Sequence, residues 1–263
     1  IERFAAAVRA VFGQVRRSDP RFIPWGIADL SARASHPLVG ALDWLLRLPQ
    51  QRCTLSELQG LLDVPAIAAR LGLAMDDVSL LTHWMAGAGI RWGLDTQQRA
   101  ALDLEACGAQ NSAVFGLERM LLGYAAGAGS FDGIEAWDEI SGLAAELAGA
   151  LAALVSRLKH WAAQAATPAS PQQWAERFRS LMADFAEPTD EADRQTLQAL
   201  EAALGDWLRD SDDAEFSDSI PIEIARQAWQ QALDAPRLSQ RFRAGGVTFC
   251  TLLPLRAIPF EVV

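Results

Sequence analysis

An apolar stripe constrains this chain most. Ile140, Leu143, Leu147, Leu151, Leu154, Leu158 and Trp161 recur at intervals of three and four, the period that places them on one face of a helix. Burying each such leucine contributes ~1.5–3 kcal/mol, so this segment is expected to be the longest amphipathic helix and the centre of a helical core. Shorter stripes surround it: Leu38, Leu42, Leu45, Leu46 and Leu48; Trp174, Phe178, Leu181 and Phe185; Leu197, Leu200, Leu204, Trp207 and Leu208; Ile222, Ala225, Trp229 and Leu233. The expected fold class is mainly α, a multi-helix domain.

Punctuation residues divide these stripes. Ile1 to Arg16 reads as a helix decaying at Gly13 and Ser18-Asp19-Pro20. Ser35 is an expected N-cap with Pro37 in the first turn, and Pro49 a stop. Thr54-Leu55-Ser56-Glu57 and Ser170-Pro171-Gln172-Gln173 have the spacing of capping boxes. Further helices are expected from Pro65 to Gly72, from Asp76 to Met85 and over Gly116 to Tyr124, with a loop over Ala125 to Ser130 and an acidic surface loop from Asp210 to Asp218. Strand signals lie only near the ends. Arg21 to Ala28 contains Pro24 and suits an edge; Val247 onward is β-branched and aromatic after Gly245-Gly246, and a second short strand, Phe260 to Val263, follows Pro254 and Pro259. A chain that stops inside a strand reads as a fragment.

Composition narrows the function classes. The 263 residues are 51% hydrophobic, ample for a core. Glu146 interrupts the longest apolar run, around Leu143 to Val155, before it reaches the ~18 residues that span a bilayer, so no membrane segment is expected. Three widely spaced cysteines, Cys53, Cys107 and Cys250, argue against a disulfide framework and suit a reducing, cytoplasmic compartment. A formal charge of −10 disfavours a surface that is broadly a nucleic-acid groove. Nine tryptophans against one tyrosine suggest large buried anchors, and Lys159 alone among the 23 basic residues is lysine.

Chemistry-bearing motifs are scarce. Lys159 stands in Arg157-Leu158-Lys159-His160, without the glycines of a phosphate loop. His36, His83 and His160 are far apart in sequence, and no metal-ligand spacing occurs. The Asp210 to Asp218 segment lacks the central glycine and final glutamate of a calcium loop. Glu135, Asp138 and Glu139 are close enough for acid/base or metal-dependent nuclease work, and serve equally as helix N-terminal charges. The cysteines have no adjacent base. Residues 56–95 offer three short helices followed by Gly89 to Asp95 as a candidate wing; a recognition helix over Asp76 to His83 would carry no arginine or lysine.

Several stretches, taken in order, resemble the RecC family, the gamma subunit of bacterial exodeoxyribonuclease V: Ala10–Gly13, Ile23–Leu38, Leu61–Pro65, Gly89–Gly93, Phe115–Tyr124, Ser239–Phe242 and Cys250–Phe260. The resemblance implies a superfamily 1 helicase-like body in which a helical 2B domain is inserted into a RecA-like 2A domain. Residues 1–30 and 245–263 would then belong to the RecA-like part and 31–244 to the 2B-like insertion. Active helicases of that superfamily carry a strand-contacting motif resembling Thr-x-His-x-x-Lys-Gly-Leu-Glu-Phe. Thr251 and Phe260 match it, whereas Leu253 stands at the histidine, Arg256 at the lysine, Ala257 at the glycine and Pro259 at the glutamate. Losing the imidazole and carboxylate fits an inactive relative that guides DNA.

The resemblance therefore implies a non-catalytic scaffold and DNA-channel domain in an ATP-dependent helicase/exonuclease of double-strand-break repair. It implies RecB-like and RecD-like partner subunits, with ATP and Mg held by those partners, and no cofactor in this segment. In that family the residues for reading the Chi signal lie largely outside the matched stretches, and none is assigned to this chain. Thr251 and Arg256 are the candidate strand-facing residues; on the residues alone, Thr251 is equally a strand residue and Arg256 a surface charge. Two other classes stand beside this one: a free-standing winged-helix-type DNA binder centred on residues 56–95, and a nuclease using Asp or Glu ligands.

Overall fold

The computed structural model describes residues 2–15, 19, 21–27, 36–140, 142, 145–234 and 246–249. The chain divides into two compact units: Ile1–Pro37 with Asp234–Val263, and Leu38–Leu233. Helices dominate, and the described strands form two small two-stranded sheets.

In the smaller unit, helix α1 (Glu2–Phe12) accompanies strand β1 (Trp25–Ile27). Phe12 closes the α1 end over the strand: its ring lies 6.1 Å from that of Trp25 and 5.0 Å, edge-on, from that of Phe249, and Trp25 Nε1 donates to Phe12 O at 3.1 Å. Phe249 belongs to the last described strand (Val247–Phe249), which pairs with β1 in parallel, Trp25 opposite Val247 and Ile27 opposite Phe249. The two end strands expected from the sequence are thus neighbours. At the turn before the pairing, a Cβ on Gly246 would overlap Pro24 O, so this backbone approach requires glycine.

The larger unit opens with α2 (Pro37–Leu46), α3 (Leu55–Leu62), α4 (Pro65–Arg70) and α5 (Met75–Gly87). Leu38, Leu42, Leu45 and Leu46 are buried as their spacing predicts, and Pro49 lies within a 3₁₀ turn, Leu48–Gln50, that follows α2. The capping box at α3 forms: Glu57 N donates to Thr54 Oγ1 at 3.3 Å and Thr54 N to Glu57 Oε2 at 2.6 Å. Gly72, at φ +70°, follows α4. Residues 89–95 form no strand. Ile90 and Leu94 are fully buried there, so the segment is core rather than the candidate wing.

Helix α6 (Thr96–Ala100) precedes α7 (Ala113–Ala126), which is followed by strands β2 (Ser130–Phe131) and β3 (Ile134–Glu135). These pair as a hairpin whose turn residues Asp132 and Gly133 both have positive φ, +49° and +79°. That is a type I′ turn, matching the twist of its strands. Residues 125–130 are therefore not simply a loop: the helix runs to Ala126 and Ser130 already belongs to β2.

Helix α8 (Ala145–Ala165) starts later than the stripe suggested. Gly142 has φ +59°, a left-handed conformation that breaks the helix, while Ile140 remains buried ahead of it. The expected central role holds: α8 packs against α5, α7, α9 (Pro171–Phe185) and the Leu48–Gln50 turn. Among the described residues it is not the longest helix. That is α10 (Glu191–Asp213, 23 residues), because Asp210 to Asp213 continue its last turns instead of forming a loop. Helix α11 (Ile222–Asp234) completes the unit, and the last strand of the chain, described above, is β4.

The C-terminal helices meet at one side chain. Phe178, fully buried on α9, has Trp229 of α11, Trp174 of its own helix, Trp161 of α8 and Trp207 of α10 within 4.8–6.3 Å between ring centroids. Three of these indoles also donate to backbone carbonyls: Trp161 to Leu45 O, Trp174 to Ile220 O and Trp229 to Leu200 O, at 2.7–3.0 Å. Tryptophan suits this role because it supplies area and satisfies its own N–H.

Candidate functional site

The larger unit contains a half-open cleft of 330 Å³. Its floor is the end of α8, where Ala162 and Ala163, with Ala166 just beyond the helix, leave room that larger residues would fill. Leu48, Pro49 and Leu94 line it, α6 contributes Gln97 and Gln98, and Ala101 caps the end of that helix. Local hydrogen bonds hold this geometry. Asp95 caps α6 by accepting from Gln98 N at 2.8 Å, while the Gln98 side chain accepts from Leu94 N at 3.2 Å and donates to Gln51 O at 2.8 Å. The chain's single lysine lies here, with Lys159 Nζ 2.8 Å from Asp95 Oδ2. Burial pushes the Asp95 carboxyl upward, but the Lys159 ammonium and the Gln98 N–H outweigh it and leave the carboxyl below its usual range.

Behind the cleft, Arg99 organises residues 92–110. Its guanidinium is 1% exposed and donates to Gly108 O (2.5 Å), Gln110 O (2.8 Å), Trp92 O (2.7 Å) and Cys107 O (3.4 Å) while lying 4.0 Å over the Trp92 ring. Desolvation lowers its pKa, yet a guanidinium remains charged. Gly93, at φ +78°, leaves space against Arg99 that a Cβ would take.

Other arginines act similarly. Arg119 donates to Ala88 O and Glu135 O, Arg157 to Asp184 O, Arg177 to Gln164 O and Thr167 O, Arg70 to Ala183 O, and Arg91 to Ala86 O. Most of these carbonyls lie at or just beyond helix C-termini, where acceptors lack intrahelical donors. The planar fork of arginine serves them better than an ammonium, which accounts for the near absence of lysine. Arg47, Arg179, Arg194 and Arg209 pair with Asp43, Glu201, Glu191 and Asp206.

The remaining candidates separate. Among the described residues no three His, Cys, Asp or Glu side chains are placed to hold a metal. Glu135 lies in β3 and Asp138 and Glu139 follow it, all exposed, so they are not helix N-terminal charges; Glu139 instead faces His83 at 3.7 Å. Cys53 is buried, and burial, followed by the nearby Glu57 carboxylate, pushes its thiol up to about 12. Cys107 is exposed. Thr251 and Arg256 lie outside the described residues.

The profile of the RecBCD enzyme subunit RecC fourth domain matches residues 35–237. The chain belongs to the RecC family. The RecBCD enzyme subunit RecC of Escherichia coli K12 is 37% identical over 268 residues, covering 100% of this chain and 23% of that protein. Its counterpart in Haemophilus influenzae is 31% identical over 266 residues, again covering 100% and 23%, and that of Mycobacterium tuberculosis H37Rv is 28% identical over 255 residues, covering 90% and 21%. The chain thus spans about a quarter of the length of these relatives.

Two stretches that carry the RecC resemblance meet in space. A Cβ on Gly116 would overlap Ile90 Cγ1, a Cβ on Gly123 would overlap Trp137 O, and Arg119 Nη1 reaches Ala88 O at 2.7 Å. Gly89–Gly93 and Phe115–Tyr124 are thus packing partners. The cleft was not legible in the sequence, since its alanines read only as helix formers. The hairpin had a signal that went unused, the Asp132-Gly133 pair.

Proposed function

We propose that this chain is a non-catalytic part of a RecC-type subunit in an ATP-dependent helicase/exonuclease of double-strand-break repair and recombination, where it acts as scaffold and as wall of a DNA channel. The family match over residues 35–237, with similarity to RecBCD subunits across the whole chain, carries the reading. RecB-like and RecD-like subunits would be its partners, would hold ATP and Mg, and would operate with it on DNA in the cytoplasm. The helical unit would correspond to a 2B-like insertion and the β1–β4 pair to the edge of a RecA-like 2A sheet. The parallel pairing supports this, because the chain leaves one strand, builds the helices and returns beside the strand it left.

The test is reconstitution. The full-length subunit, co-expressed with the two other subunits of a RecBCD enzyme, is expected to co-purify with them and restore ATP-dependent unwinding. The purified chain by itself is expected to neither hydrolyse ATP nor cleave DNA with magnesium. Either activity from the chain alone would overturn the proposal.

A further inference from the structure

The charge of this chain is divided unequally. The larger unit carries 28 acidic and 13 basic residues, a formal −15, whereas the smaller carries five acidic and ten basic, a formal +5; together they make the −10 of the whole. Eleven of the 13 basic side chains in the larger unit hold an internal carbonyl or carboxylate. Nucleic-acid affinity comes largely from arginines and lysines that displace counterions from phosphates. The net −15 makes this unit as a whole repel phosphate.

The cleft on this unit is of a size that takes a ligand group, but the polar atoms of Asp95, Gln98 and Lys159 are engaged within the unit. Asp95 holds Lys159 and Gln98 N, and Gln98 holds Leu94 N and Gln51 O. A small polar ligand depends on a few convergent unsatisfied groups for orientation, whereas this cleft mainly offers an apolar floor of Ala162, Ala163 and Ala166. We propose that the cleft between α6, α8 and the Leu48–Gln50 turn receives an apolar side chain of a partner protein segment with basic flanks, and that the face carrying this cleft meets protein rather than nucleic acid. Apolar burial would supply the affinity, and the −15 of the unit as a whole would steer and select a cationic partner.

This inference rests on the RecBCD-type assembly proposed above, so the experiment uses that assembly. Ala163 and Ala101 are exposed and line the cleft from α8 and from the end of α6, and Ala163→Trp or Ala101→Trp fills it from two different elements. The full-length subunit carrying each variant is titrated with the other two RecBCD subunits and, separately, with single-stranded DNA. The expected result is at least a tenfold weaker subunit affinity for both variants, with DNA affinity and the unfolding midpoint of the free subunit unchanged. Unchanged subunit affinity overturns the proposal, as does weakened DNA binding with assembly intact. A lowered midpoint of the free subunit in both variants also overturns it, since the cleft would then be filled from within the same polypeptide. Failure of the wild-type subunit to join its partners overturns the assembly reading itself, and the cleft assignment with it.

Discussion

Phe178 and Trp229 stack in the core with ring centroids 4.8 Å apart and planes 16° from parallel. They come from α9 and α11, and each is buried to 2% exposure or less. Phe178→Ala is expected to cost about 3–5 kcal/mol, because the void would face four tryptophans that cannot all collapse into it. Trp229→Phe keeps a stack but leaves Leu200 O without its donor and is expected to cost about 1–2 kcal/mol. Urea denaturation of both variants checks the order; equal costs would show that the stack does not organise these helices.

Arg99→Lys tests why the chain uses arginine. An ammonium at this site cannot reach Trp92 O on one side and Gly108 O and Gln110 O on the other, nor stack on Trp92 in the same way. The expected loss is about 2–4 kcal/mol, with two or more buried carbonyls left without a donor. Hydrogen exchange is expected to accelerate across residues 92–110 before it does in α8.

The cysteines should differ in reactivity. Thiolate is the nucleophile, and Cys53 has a thiol pushed up to about 12 inside the core, whereas Cys107 lies exposed on a 3₁₀ turn. Iodoacetamide at neutral pH is expected to modify Cys107 and to reach Cys53 only under denaturing conditions, as peptide mapping would show. Labelling of Cys53 in the folded chain at a rate matching Cys107 would contradict its burial.

The Asp95–Lys159 pair predicts a pH dependence. The folded pKa of Asp95 is depressed, so its contribution is fully present above the unfolded value of about 4 and is lost as the pH falls through the lower folded value. Lys159→Met removes the largest favourable cause and should shrink this acid-side loss. Comparing unfolding midpoints of wild type and Lys159→Met from neutral to strongly acidic pH measures it; identical slopes would show that the pair does not contribute.

The sequence by itself determined the helical character, the capping boxes at Thr54 and Ser170, the core stripes and the family. The first three depend on spacing within one or two turns, where the hydrogen-bond partner or buried neighbour is a few residues away, and the family on stretches matched in order along the chain. The segment ahead of α8 shows the limit: Leu143 and Ile140 keep helical spacing, but a left-handed Gly142 interrupts the helix, and periodicity carries no record of φ. Tertiary structure decided the rest. The irregular 92–110 segment takes its form from four carbonyls gathered by one arginine, Gly116 and Gly123 are required by Ile90 and the Trp137 backbone, and the cleft exists because small residues of α8 face α6 across a gap. In each case the partner lies beyond the reach of one helical turn, from seven residues away for Trp92 and Arg99 to much further for α6 and α8, and only the packed fold brings its atoms within hydrogen-bonding or van der Waals range.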